Sequence, residues 1–261
     1  MIRRGAFFWL SLSCAVMVIA FILLPLVHMM LAPTGEMMAV SIADPTVRNS
    51  ILLSVVTSGA SALISIALGT PLAYVLARTS FPGKRLVESI IDLPIIIPHP
   101  VVGIAILGVV GANHWFGRIL ADAGIRLMGS VTGIIAVLTF VGMPLYVNAV
   151  KNGFESIPPR LEHVSRSLGA SMASTFFRVT LPLARRSILI GTLMCAARSV
   201  SEFGAVVVVA YHPMIAPVLI FERFEAYGLR YSQPVAVWLV LLCLTIFVAL
   251  RILTLRTREA A

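Results

Sequence analysis

An all-α, polytopic membrane protein with six transmembrane helices is the fold this sequence predicts, on three observations. Of 261 residues, 59% are hydrophobic and 12% are charged, whereas a soluble domain is roughly half apolar and about a quarter charged. Mean hydropathy is +1.00. Six apolar runs approach or exceed the length of about 20 residues that crosses the hydrocarbon core, and none of them alternates with period two, which argues against a barrel. This composition excludes a soluble domain, a disordered chain and a disulfide scaffold. Cys14, Cys195 and Cys243 lie far apart in apolar stretches. They are expected as buried small hydrophobes, not as zinc or redox ligands.

The first run covers 6–31 behind Arg3 and Arg4. It is longer than a signal-peptide core of about 7–15 residues, so it is expected to stay as a span. The second, 50–77, is free of charge and repeats Thr57, Ser61, Ser65 and Gly69 at every fourth position. Small residues at that spacing let helix backbones approach in lipid. The third, 92–112, carries Pro94, Pro98 and Pro100, which remove backbone donors and are expected to bend its inner half. The fourth, 129–150, lies between Arg126 and Lys151. The fifth, 187–210, contains Arg198 and Glu202 and sets Ala197, Ser201 and Ala205 four apart. The sixth is 232–252. Residues 1–261 are thus expected as one transmembrane domain, with 151–186 as its long inner loop.

The net charge is +9, from 20 basic and 11 acidic residues. In a soluble protein that balance would suggest nucleic acid; here it reflects topology, and no nucleic-acid partner is expected. With the N-terminus inside, fourteen Lys and Arg residues fall on the cytoplasmic side and five outside. The positive-inside rule therefore places both termini in the cytoplasm.

The inner loop reads KNGFESIPPRLEHVSRSLGASMASTFFRVTLPLARR. Pro159 can open a helix, because its missing donor is harmless in the first turn. Leu161, Val164 and Leu168 then share one face, while Glu162, His163 and Arg166 point elsewhere. Gly169 suits a left-handed cap, and Ser171 can cap a second short helix running to Val179. Leu181-Pro182 is expected to break that helix before the fifth span. Such an amphipathic helix can lie on the membrane or dock in a partner's groove; a plain solvated connector is the alternative.

These residues resemble the cytoplasmic signature of permease subunits of binding-protein-dependent ABC importers. The family reads E-A-A, three residues, Gly, nine residues, an apolar branched residue, one residue and Leu-Pro. Gly169, Val179, Leu181 and Pro182 fall in that register. His163-Val164-Ser165 stands at the triplet, with the acid one place earlier at Glu162. Within the family, the segment from Arg198 through Glu202, Phe203 and Gly204 to Ala205 looks like the fifth-span motif of molybdate, tungstate and sulfate permeases. The segments Ile97–Ile104 and Tyr211–Pro217 look most like the archaeal-type molybdate/tungstate permeases; a sulfate/thiosulfate permease is the alternative. The resemblance implies the ABC importer type I permease fold in a prokaryotic plasma membrane. It also implies a homodimeric pore, two ATP-binding subunits inside and an oxyanion-binding protein outside. ATPase coupling would fall to Arg160, Leu161, Glu162, His163, Val164, Ser165, Arg166, Leu168, Gly169 and Ala170.

No cofactor, metal ligand or catalytic residue is expected in this chain. It contains no G-x-x-x-x-G-K-[ST] loop and no HExxH, and its only lysines are Lys84 and Lys151. ATP and Mg would be bound by the partner ATPase.

Three polar residues within apolar runs stand out as pathway candidates: His99, Arg198 and Glu202. Counted from the start of its run, Arg198 falls about 18 Å along the fifth span at 1.5 Å per residue, near the bilayer middle. Ionisable groups at such depth face the bundle interior or a partner. Arg198 is either a cation that attracts an oxyanion or half of a self-satisfied pair with Glu202 at i+4. His99 is either a packing histidine or an anion ligand. In the outer segment 211–232, Ile215, Val218, Leu219 and Glu222 follow helical spacing interrupted by Pro217, as an interfacial helix or a surface loop. An ion-driven secondary transporter would show two related halves, and no internal repeat is evident.

Overall fold

The computed structural model describes residues 5–111 and 114–259, and among them the regular structure is helical. In chain order the helices are α1 (Ala6–Leu31), α2 (Gly35–Ala43), α3 (Pro45–Arg78), α4 (Lys84–Ile96), α5 (His99–Val110), α6 (Trp115–Asp122) and α7 (Val131–Glu155). They continue as α8 (Pro159–Ser167), α9 (Met172–Thr175), α10 (Leu181–Val200), α11 (Gly204–Val209), α12 (Ala216–Tyr227) and α13 (Leu229–Glu259). A π-helical turn, Phe176–Thr180, joins α9 to α10. Five stretches are long and apolar enough to cross a membrane: Phe7–Leu31, Pro45–Arg78, Val131–Glu155, Met172–Val200 and Leu229–Val248. The sixth is the pair α4 and α5, which qualify only together.

The centre of the molecule is α3, α7 and α10. Their contact is close because the facing side chains are small. A Cβ on Gly69 would sit 2.6 Å from the Tyr146 ring, and one on Gly142 would sit 2.6 Å from Cys195 Sγ. The polar atoms in this seam are paired, as lipid-embedded interfaces require. Ser61 and Ser199 hydroxyls lie 3.3 Å apart, Cys195 donates to Ser65 Oγ at 3.3 Å, and Thr70 bonds Tyr146 at 2.6 Å. Ser50 and Ser54 turn back onto carbonyls of their own helix. The packing face of α10 is Gly191, Cys195 and Ser199. The expected face fails: Ala197 and Ser201 are exposed, and a break after Val200 takes Ala205 onto another helix.

The third run is broken, not bent. α4 and α5 meet at 114°, and the helical turn begins at Lys84, eight positions earlier than expected. Pro98 cannot donate to the α4 ladder, and the residue before a proline is driven to extended backbone. Ile97 accordingly has ψ 134° and Pro98 ψ 132°. Polar residues of α4 are matched by α7: Asn148 donates to Asp92 Oδ1 at 2.7 Å, and Lys151 pairs with Glu88.

Pro182 does not end a helix. Met172–Val200 runs through it, because the π turn shifts the ladder: Leu181 N–H reaches back to Phe176 O. A π turn is one of the recognised ways a helix absorbs an irregular position. α10 therefore starts at Leu181, not near 187.

On the opposite side, Pro217 occupies the first turn of α12 and interrupts nothing. Ala216 N–H, at the start of α12, is capped from another helix by Ser54 Oγ at 2.8 Å. Asp44 caps α3 through Thr46 N–H at 2.7 Å and pairs with Arg223 of α12. Trp238 donates to Met38 O at 3.2 Å, fastening α13 to α2. Of the cysteines, Cys195 is buried and Cys243 half-buried, but Cys14 is exposed. It lies on α1, whose apolar surface is open along its length, as suits a helix surrounded by lipid.

Candidate functional site

Two sites emerge, at opposite ends of α10. The first is the short helix α8 in the inner loop. Pro159 sits in its first turn, and Gly169 follows it at φ 92°, a left-handed conformation that a side chain would strain. Ser171 Oγ then accepts from Ser174 N–H at 3.2 Å and starts α9. Leu161, Val164 and Leu168 are 44%, 49% and 83% exposed, so α8 presents an apolar face with no covering within the chain. Arg160, His163, Arg166 and Gly169 are also exposed, while Ser165 and Ala170 are half-buried.

The opposite face of α8 is fastened by Glu162. Its Oε1 accepts from Arg78 Nε at 2.8 Å and from Thr180 Oγ1 at 3.0 Å, and its Oε2 accepts from Tyr74 OH at 3.1 Å. Arg78 also donates through Nη2 to Ile157 O at 3.1 Å, and Ser165 bonds Thr175 at 3.0 Å. One carboxylate thus joins α8 to the end of α3 and the start of α10. Sequence reasoning missed Tyr74, Arg78 and Thr180. No sequence pattern marks Arg78, because its partner lies 84 positions away.

The second site lies where the two interrupted helices meet. α10 stops at Val200, Glu202 N–H closes on Ser199 O, and α11 begins at Gly204. The break faces the Ile97-Pro98 break: a Cβ on Gly204 would be 2.9 Å from His99 Cβ. Glu202 is 1% exposed. Its Oε1 accepts from Ala205 N–H at 2.9 Å, and its Oε2 meets Arg198 Nη2 at 2.7 Å. The same Nη2 lies 3.0 and 2.7 Å from the two ring nitrogens of His99. The three residues singled out by sequence are therefore one cluster. The Arg198–Glu202 pair forms, but across a helix end, and His99 joins it. Because α10 begins at Leu181, Arg198 lies about 26 Å along it, well past the middle and far from α8. Among the described residues, no three His, Cys, Asp or Glu side chains are grouped to hold a metal.

The family model for the inner membrane component of binding-protein-dependent transport systems matches residues 69–259, which include both sites. The chain belongs to this family. As a member it is a membrane-embedded transport subunit, not an enzyme. This inner membrane component is 43% identical over 260 residues to the molybdate/tungstate transport system permease protein WtpB of Pyrococcus furiosus, covering 99% of both chains. It is 38% identical to the protein of that name from Methanocaldococcus jannaschii, over 90% of this chain and 92% of that one. It is also 33% identical to the sulfate transport system permease protein CysT of Synechocystis, over 75% and 69% of the two chains. Its fold matches a chain of a bacterial ABC transporter that imports alginate, with TM-score 0.78 at 16% identity over 97% and 96% of the chains. The MetNI methionine ABC transporter matches with TM-score 0.64 at 18% identity, over 85% and 97%. The six-span, all-α expectation and the family resemblance both hold.

Proposed function

We propose that the chain is the transmembrane permease subunit of an ATP-driven importer for a tetrahedral oxyanion, molybdate or tungstate. The observation that carries this reading is the gradient of likeness. Identity is 38–46% over 216–260 residues with four archaeal molybdate/tungstate permeases and falls to 31–33% over 199–216 residues with three sulfate permeases.

In this reading α8 is the coupling helix. Leu161, Val164 and Leu168 enter a cleft of a separate ATPase subunit, flanked by Arg160, His163, Arg166, Gly169 and Ala170. Glu162 and Ser165 tie the helix to the permease body, so that movement of the ATPases reaches α3 and α10. ATP and Mg are bound by that partner. Two copies of the chain form the pore, both termini are cytoplasmic, and an oxyanion-binding protein docks outside. His99, Arg198 and Glu202 belong to the pathway.

A passive channel could not accumulate such an anion. Carrying one negative charge into a cell against an inside-negative potential costs about 2.3 kcal/mol per 100 mV. A dianion at about 100 mV therefore costs roughly 4.6 kcal/mol before any concentration gradient.

The test is ATPase activity of the reconstituted complex with its binding protein, titrated with tungstate, molybdate and sulfate. Stimulation by tungstate or molybdate at low concentration, with sulfate inert, is the expected result. Stimulation by sulfate alone would move the chain to the sulfate permeases, and no stimulation by any of the three would overturn the oxyanion reading.

A further inference from the structure

Arg198 is unusual in how little of its guanidinium the protein uses. Its contacts to His99 and Glu202 all run through Nη2. Nε and Nη1 make no hydrogen bond among the described residues, and neither is among the atoms closed off from the surface. The Arg198 side chain is 24% exposed and that of His99 40%, whereas Glu202 is 1% exposed behind them. Glu202 Oε2 is sealed from the surface and receives no well-directed hydrogen bond; Arg198 Nη2 lies 2.7 Å from it and His99 Nδ1 3.6 Å. A carboxylate placed this way makes no well-directed hydrogen bond through Oε2. It does lower the positive charge that Arg198 presents outward.

The open edge of a guanidinium does not face lipid, where an ionisable group is costly; it faces water or a partner. Charge-assisted donors of this kind suit an anion with several oxygens. A transport pathway also needs binding favourable enough for entry and weak enough for exit. A bare buried arginine would hold a dianion too tightly.

Resting on the reading that an oxyanion passes this chain, we propose that Arg198, with His99 beside it, is a low-affinity oxyanion way-station. Glu202 is the fixed counter-charge that keeps its affinity low. The ligand class is a tetrahedral dianion, bound through Nε and Nη1 of Arg198.

The test is equilibrium binding of radiolabelled tungstate to the purified permease–ATPase complex, without nucleotide and without binding protein. Glu202→Gln keeps the acceptor for Ala205 N–H and removes the charge. It should bind tungstate at least tenfold more tightly than wild type, and Arg198→Met in the same background should abolish the gain. Unchanged binding by Glu202→Gln, or equal binding by the double variant, would overturn the proposal.

If Glu202→Gln does not purify as an intact complex, the wild type decides. Phenylglyoxal modification, read residue by residue by mass spectrometry, should slow at least threefold at Arg198 when tungstate is added, and not at the exposed Arg178. Equal rates at Arg198 with and without tungstate would overturn it. The ATPase titration above separates the two ideas. A wild type stimulated by none of the oxyanions loses the substrate reading and the way-station with it. A stimulated wild type without the Glu202 and Arg198 effects loses the way-station alone.

Discussion

Arg78 and Glu162 join the inner end of α3 to the short helix α8, Nε to Oε1 at 2.8 Å, with only 12% and 13% of their side chains exposed. Tyr74 and Thr180 complete the set of donors on that carboxylate. Removing the charge leaves a largely buried guanidinium short of its partner, a loss of about 1–3 kcal/mol. Glu162→Gln should therefore lower the unfolding midpoint of the purified complex. It should also loosen coupling, so that ATP hydrolysis continues while uptake per ATP falls. An unchanged midpoint with unchanged uptake per ATP would show that the joint is dispensable.

The apolar face of α8 makes a separate prediction. Leu161 and Leu168 are 44% and 83% exposed and belong to no buried cluster of the chain, so substitution there should change stability by no more than about 0.5 kcal/mol. Leu161→Asp and Leu168→Asp should yield folded permease that no longer co-purifies with its ATPase. Intact complexes that transport normally would remove α8 as the docking element.

Glycines give a contrast within one fold. A Cβ at Gly153 would lie 2.2 Å from Ser187 Cβ, so Gly153→Ala must push α7 and α10 apart at a cost of about 1–3 kcal/mol. At Gly59 a Cβ would meet nothing within 4 Å. There Gly59→Ala should be neutral or stabilise by up to about 1 kcal/mol, the helix-propensity difference. Thermal unfolding in one detergent ranks the two, and equal midpoints would contradict the packing described.

Asp44 predicts a pH effect. Burial raises its pKa, but the Thr46 N–H bond and the neighbouring Arg223 outweigh burial and hold the carboxyl below the usual carboxylate range. A depressed folded value means the pair stabilises the fold above the unfolded value, about pH 4, and that stability is lost as pH falls through the folded value. The side chains are 34% and 17% exposed, so Asp44→Asn should cost at most about 1 kcal/mol near neutrality. Its deficit against wild type should shrink below about pH 4. A deficit that grows on acidification would reverse the sign.

Composition and run length were enough to read the fold class, because lipid demands long apolar helices and little else mimics them. Local punctuation was equally legible: Gly169 and Ser171 act through backbone within a few residues of themselves. Interruptions were not. Pro98 breaks a span while Pro182 is absorbed by a π turn, and the difference lies in which ladder can shift, not in proline itself. The Glu162 joint was hidden because its donors come from Tyr74, Arg78 and Thr180, brought together only by the packing of α3 on α7 and α10. His99, Arg198 and Glu202 were visible singly as costly groups in apolar runs. That they form one cluster depends on two helix breaks meeting.

The most direct measurement is uptake of radiolabelled tungstate into proteoliposomes holding the permease–ATPase complex, with binding protein outside and ATP inside. Accumulation that requires both ATP and binding protein, and is lost with Leu168→Asp, is the predicted result. Accumulation that persists without ATP, or follows an imposed ion gradient instead, would contradict it.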